Sequence, residues 1–97
     1  MVKIIVEYKV KESKDIQPAL AKLRSSSLTY PGFVSAEILR SVKDVSIMAV
    51  IQTWQKPEDW WGWETSKVRQ DILQEIQALL VEEPKAAVYN IVPTGWT

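Results

Sequence analysis

The sequence predicts an α+β domain built on an antiparallel sheet with its helices on one face. Three observations carry that prediction. Four segments show the period-two alternation of strands. Helical spacing of apolar residues separates the first strand from the second and the third from the fourth. The two middle strands are joined by a turn too short to hold a crossover helix, so they pair antiparallel. Ninety-seven residues, 46% of them hydrophobic, make one domain over residues 1–97, large enough for one core and too small for two.

Residues 2 to 10 place Val2, Ile4, Val6, Tyr8 and Val10 on one side and Lys3, Ile5, Glu7 and Lys9 on the other, the pattern of a half-buried strand. From Asp15 to about Ser27, Ile16, Leu20 and Leu23 follow helical spacing, with Asp15 as N-cap and Pro18 within the first turn. Tyr30-Pro31-Gly32 breaks the chain before a second strand, Phe33 to Val42. After a turn near Lys43-Asp44, residues 45 to 54 form a third strand. Val45, Ile47, Ala49, Ile51 and Thr53 lie on one face of it, and Ser46, Met48, Val50, Gln52 and Trp54 on the other. Apolar groups on both faces make this strand central.

Four of the five tryptophans then fall within ten residues, Trp54 to Trp63. Pro57 suits the first turn of a helix, where its missing N–H is no loss, and Glu58 and Asp59 complement the positive end of the helix dipole. Trp60 and Trp63 share a face of that helix, and Trp61 is rotated from it by roughly 100°. Thr65 or Ser66 caps a second helical segment with the stripe Val68, Ile72, Ile76, Leu79 and Leu80. Lys67, Arg69, Gln70, Asp71, Gln74, Glu75 and Gln77 make its solvated face. Glu82-Glu83-Pro84 stops the helix, residues 86 to 92 form a fourth strand, and a short tail carries Trp96.

The order β-α-β-β-α-β is that of a ferredoxin-like sandwich. Helices in so short a chain cover one side of the sheet only. Ile5, Val34, Ala36, Ile38, Ile47, Ala49 and Ile51 would form an apolar patch on the other, which predicts a homodimer joined through its sheets, with Trp61 a candidate for the seam.

Composition removes several classes of function. Twelve basic and twelve acidic residues cancel with no run of one sign, which argues against nucleic acid and against an anionic membrane. No apolar run approaches the roughly 18 residues of a membrane span, and the alternating N-terminus with Glu7 is unlike a signal peptide, so the expected compartment is the cytoplasm. Without cysteine or histidine there is no thiolate nucleophile, no imidazole base and no cysteine or histidine metal site. Chemistry must rest on carboxylates, Lys, Arg, Tyr, Trp, hydroxyls and amides, or on the substrate's own reactivity.

Pro31-Gly32-Phe33 opening the second strand, Trp54 closing the third, Pro57-Glu58 starting a helix, and Trp63 followed by Ser66 resemble the antibiotic-biosynthesis monooxygenase family, over about residues 2 to 92. The resemblance implies the dimeric α/β-barrel arrangement and a pocket in each subunit between sheet and helices. Trp54 and the tryptophan helix, through Trp60 and Trp63, would line it, with Met48, Val50 and Gln52 on the sheet face that carries Trp54. In members that oxidise polyketide-type quinols without a cofactor, a tryptophan stands at Trp54, a tyrosine at Trp60, and polar partners at Leu39 and Val50, both apolar here. In the haem-degrading branch an asparagine matches Tyr8, a tryptophan matches Trp63, and the iron-binding histidine falls near Leu73. Leucine cannot bind iron, so no haem, metal or other cofactor is expected.

Two functional readings follow. The first is a cofactor-independent monooxygenase acting on a small aromatic or quinol-like substrate, with Tyr8 and Trp54 as catalytic candidates and Trp60, Trp63, Gln52, Met48, Leu39 and Val50 around the ring. The second is a dimeric module of the same fold that binds a hydrophobic small molecule without chemistry. Packing alone would also account for Trp54 and Trp63, since each indole buries roughly 200 Å². A buried Tyr8 hydroxyl would be satisfied by Gln52 or Asn90. Arg40, able to pair with Glu37 or Glu7, and Tyr89 are weaker ligand candidates.

Overall fold

The computed structural model describes residues 1–94, so the expectation for Trp96 lies outside the described residues. Four strands, β1 (Val2–Lys9), β2 (Phe33–Arg40), β3 (Ile47–Trp54) and β4 (Lys85–Asn90), form one antiparallel sheet in the order β2-β3-β1-β4. Helices α1 (Gln17–Ser27), α2 (Pro57–Glu64) and α3 (Lys67–Gln77) pack on one face, and the architecture is ferredoxin-like. β3 is central, as its two apolar faces require, and β1 lies beside it.

Alternation in β1 is realised without exception: Val2, Ile4, Val6 and Tyr8 are buried and their neighbours are not. Opposite them on β3 stand Trp54, Gln52, Val50 and Met48, so paired rows run across the helix-covered face. Ile16, Leu20, Trp60, Trp63, Ile72 and Ile76 close the core from the helix side. At about 25 cal/mol per Å², each buried indole contributes on the order of 5 kcal/mol as an upper bound. Three buried tryptophans are therefore a large part of what holds so small a sheet to its helices.

Local chemistry sets the boundaries. Asp15 Oδ1 accepts the Gln17 backbone N–H at 2.9 Å, and the cap position itself falls on Ile16, one residue later than expected. The β2–β3 turn is tied by Asp44 Oδ1, which accepts from the Ser46 amide at 3.0 Å and the Ser46 hydroxyl at 2.6 Å. Those bonds hold the Asp44 carboxyl below its usual range. They also end β2 at Arg40 and start β3 at Ile47, shortening both expected strands. Ser66 caps α3 by accepting the Arg69 N–H at 3.2 Å. Gly32 has φ of +85° and passes so close to the Asp59 side chain that a Cβ there would collide with it. Only glycine meets both conditions, and this contact sets the approach of α2 to the end of β2.

Three expectations are corrected. Ala36 and Ile38 face the helices, opposite Gln52 and Val50, because a bulge between Phe33 and Ser35 shifts the alternation of β2 by one residue. The apolar patch on the open face is consequently built from Ile5, Ile47, Ala49 and Ile51, all partly exposed, with Leu39 opposite Ala49. Second, the stripe of α3 runs through Arg69, not Val68: Arg69 is 8% exposed and Val68 44%. Third, β4 begins at Lys85 and ends at Asn90, two residues short of the expected Val92.

Candidate functional site

Two tryptophans of equal burial define the interior. Trp54, at the end of β3, is 0% exposed, and Trp60, one turn into α2, is 1% exposed. Their rings meet edge to face at 6.3 Å between centroids. Phe33 stands against Trp54 at 5.4 Å, and Tyr30 against Trp63 at 4.9 Å, both edge to face. The aromatic cluster is thus anchored from the middle of the loop between α1 and β2 and from the first residue of β2.

The two indole N–H groups fare differently. Trp54 Nε1 donates to Gln52 Oε1 at 3.0 Å in a buried bond. An indole N–H only donates, so this bond orients the Gln52 amide, with Oε1 on Trp54 and Nε2 left as a donor. Trp60 Nε1 is buried and has no hydrogen-bond partner among the described residues. Leaving such a donor unsatisfied costs about 1–3 kcal/mol.

The Trp60 side chain borders a small recess of about 10 Å³, lined also by Val6, Tyr8, Val50, Gln52 and Trp63, by Leu20, Leu23 and Arg24 of α1, and by Arg69 of α3. The space matches one water-sized species. The Arg69 guanidinium carbon sits 5.2 Å from the centroid of the Trp60 ring, a cation–π contact, and Nη1 donates to the Glu64 carbonyl at 3.3 Å. None of the salt bridges among the described residues includes Arg69. Burial pulls the Arg69 pKa below its ordinary value, with Tyr8 and Glu64 opposing. Burial likewise pushes the Tyr8 hydroxyl up to about 12, against a smaller opposite pull from Arg69. At neutral pH Tyr8 is therefore an un-ionised donor and no base. Arg24 adds a second guanidinium, its Nε donating to the Ala36 carbonyl at 3.3 Å.

Among the described residues the cavity wall carries two guanidiniums, two indoles, a phenol and an amide, and no carboxylate. Such a lining stabilises negative charge on oxygen and offers no strong base.

Of the residues expected at the site, the structure brings Tyr8, Gln52, Val50, Trp60 and Trp63 to this one cavity. Trp54 is set one layer behind, touching the site through Gln52. It pairs with Val2 while Tyr8 pairs with Met48, so the two catalytic candidates lie six residues apart along the sheet, about 20 Å. Met48 is on the same face but lines a different depression beside Arg40, whose Nη2 approaches the Met48 sulfur at 3.5 Å in place of the expected Glu37 or Glu7. Leu39 is on the opposite face, 42% exposed, because it pairs with Ala49. Neither expected partner of Tyr8 serves it: the Gln52 oxygen is taken by Trp54, and Asn90 lies opposite Val2 at the far end of the strand.

Sequence reasoning missed Arg69 and Arg24. A signal for Arg69 was present. Spacing 69-72-76-80 advances by three, four and four residues and stays near one line on a helix, whereas 68-72-76-80 drifts steadily to one side.

The sequence matches the family model for antibiotic biosynthesis monooxygenases over residues 1–75, and the chain belongs to that family. A comparison with curated proteins gave no match. Among solved structures, a proposed antibiotic biosynthesis monooxygenase from Nitrosomonas europaea superposes with a TM-score of 0.85 at 19% identity, covering 96% of this chain and 100% of that one. SnoaB from Streptomyces nogalater, described as a cofactor-independent oxygenase, has a TM-score of 0.84 at 15% identity, covering 96% and 94%. A Mycobacterium tuberculosis protein has a TM-score of 0.84 at 10% identity, covering 98% of each chain. At these identities the likeness is one of fold. Among the described residues no helix is long and apolar enough to cross a membrane.

Proposed function

We infer that the chain is a cofactor-independent monooxygenase of a small aromatic or quinol-like substrate, acting in the cytoplasm as a homodimer joined through the open face of its sheet. The observation that carries this reading is the donor-rich, carboxylate-free wall around Tyr8, Gln52, Trp60 and Arg69, with one indole N–H unpartnered. The family supplies the reaction class, and the wall is suited to it. A substrate methylene activated by adjoining rings and a carbonyl loses a proton through its own acidity, helped by the positive field of Arg69. The resulting carbanion gives one electron to dioxygen. The radical pair then joins as a peroxide anion on that carbon, which takes back from solvent the proton released at the start, and the hydroperoxide loses water to leave a ketone: methylene and dioxygen become carbonyl and water. Negative charge develops on oxygen at each stage, in a buried setting where fixed donors count most. Trp54 serves as a positioning residue, holding the Gln52 amide in its donor orientation.

The test is oxygen uptake with anthrone-like and quinol substrates. Uptake matched by ketone or quinone formation, lowered in Arg69→Met and Trp60→Phe, supports the reading. A rate no higher than autoxidation removes it. One observation favours the alternative, a dimeric binding module without chemistry: the cavity holds a water-sized species and no ring. Tight binding of an aromatic ligand with no oxygen uptake would establish that alternative. The dimer is tested separately by sedimentation of the wild type and of Ile51→Lys, which places a charge in the open apolar face. A monomeric wild type at micromolar concentration excludes it.

A further inference from the structure

A second hollow opens at the end of β3 opposite Trp54, where the β1–α1 loop meets the β2–β3 turn. It measures about 320 Å³, within the size range of small-molecule sites, and shares no lining residue with the inner cavity. Val10, Ile16 and Met48, all buried, make its base, and Val45, 72% exposed, stands at its rim. The base is apolar, and the rest of the rim is not.

Lys11, Lys14 and Arg40 border this hollow against one carboxylate, Glu12, in a chain whose acidic and basic residues otherwise cancel. The local surplus is two positive charges. None of the salt bridges among the described residues includes any of the three cations. Arg40 Nη2 meets only the Met48 sulfur, at 3.5 Å, and a thioether is a weak acceptor, so the guanidinium fork is largely uncommitted. The two lysines reach one rim through a tight turn, in which the Lys14 N–H donates to the Lys11 carbonyl at 3.1 Å. That turn is held in place: the Val10 N–H donates to the Ser46 carbonyl at 2.8 Å and the Lys11 N–H to the Leu79 carbonyl at 2.9 Å. Within it Ser13 has φ of +64°, the single positive φ outside glycine among the described residues. Left-handed backbone is unfavourable for a residue with a side chain, and such departures collect at functional sites.

We propose that this hollow is a second ligand site, which binds a small organic phosphate monoester. The phosphate dianion matches the surplus of two positive charges, with the Arg40 fork taking two of its oxygens and Lys11 and Lys14 acting as point charges beside it. The organic body lies against Val45 and the aliphatic stems of the lysines. Occupancy here does not rest on the monooxygenase reading, since no residue of the inner cavity takes part.

The experiment is calorimetric titration of the full chain with hexyl phosphate, and with its two halves, inorganic phosphate and hexanol. Hexyl phosphate should bind roughly ten- to a hundredfold more tightly than hexanol, the usual gain from hydrogen bonds to a charged group, and more tightly than inorganic phosphate. Arg40→Gln should remove most of the advantage over hexanol, and Arg40→Lys should keep part of it, since the charge stays and the fork is lost. Val45→Asp, which sets a carboxylate at the rim, should weaken hexyl phosphate about as much as Arg40→Gln. Glu12→Gln, which removes the rim's own carboxylate, should tighten it. Lys67→Gln, the same change of net charge on α3, should leave it as it was. Hexyl phosphate that binds no better than its halves overturns the proposal, and so does an equal loss in Lys67→Gln. Capture on phosphatidylcholine vesicles containing phosphatidic acid, without binding of hexyl phosphate, would assign the cations to a membrane surface and overturn it too. Should Arg40→Gln fail to fold by circular dichroism, Val45→Asp, at an exposed turn position, decides alone.

Discussion

The Trp54 end of the core and the Trp60 end are built from the same residue type at the same burial, and they do opposite things. The Trp54 N–H is matched: it meets Gln52, and Phe33 and Trp60 close on its ring. Around Trp60 the N–H is unmatched, a cavity opens, and a buried arginine lies over the ring. Burial alone does not separate a packing residue from a site residue. What separates them is whether the polar end of the side chain has been satisfied, since an unsatisfied buried donor persists at a cost in stability that a functional contact can offset.

Substitutions at the two rings should split stability from activity. Trp54→Ala is expected to have the largest effect, a loss of about 3–5 kcal/mol of folding stability in urea unfolding, because it empties a fully packed site. Trp60→Phe should lower oxygen turnover by roughly 10²–10³, the usual consequence of removing a donor from developing oxyanion charge. Its effect on stability should be the smaller of the two, since the N–H it deletes makes no hydrogen bond in the fold. Equal stability losses in Trp54→Phe and Trp60→Phe would erase the distinction. Trp54→Phe strands the Gln52 oxygen, at about 1–3 kcal/mol, and Trp60→Phe strands nothing.

The site's protonation can be read from stability against pH. Tyr8 has its folded pKa raised from 10.0 to about 12. The unfolded chain therefore releases this proton first, and the contribution is fully present below pH 10.0 and lost as pH rises towards about 12. A shift of that size corresponds to about 2–3 kcal/mol. Unfolding free energies from pH 9 to 12 should fall more steeply in the wild type than in Tyr8→Phe. Parallel curves would mean that Tyr8 ionises as freely in the fold as outside it. The smallest expected effect is that of Ser66→Ala, which removes the cap of α3 and should cost about 1 kcal/mol, measured by thermal unfolding.

Much of this molecule is legible in its residues. Period-two alternation in Val2 to Tyr8, the breaker at Pro31-Gly32 and the start of α2 at Pro57 depend on contacts within a few residues, so they follow from local sequence. The same holds for the cap at Ser66 and for the shared face of Trp60 and Trp63. The pairing of the two middle strands follows from the short turn between them, and the placing of helices on one side from the β-α-β-β-α-β order. Family resemblance added the expectation of a pocket between sheet and helices lined by Trp54; five of the expected site residues border one water-sized space there, and Trp54 does not.

Tertiary structure alone decided the rest. One bulge after Phe33 moved Ala36 and Ile38 to the helix side, and no local signal marks it, since either alternation of β2 is plausible until Phe33 is seen against Trp54. Register placed Tyr8 and Trp54 at different ends of the sheet and sent Leu39 to the far face. The 69-72-76-80 spacing already turns Arg69 inward, and what packing added was the Trp60 ring under its guanidinium, making what reads as a solvated charge the cation of the site. Sequence determined which groups are available, because side-chain chemistry and period are local. Which of them end without a partner in one cavity is a property of packing between elements distant in the chain, and only the folded arrangement of β1, β3, α2 and α3 sets it.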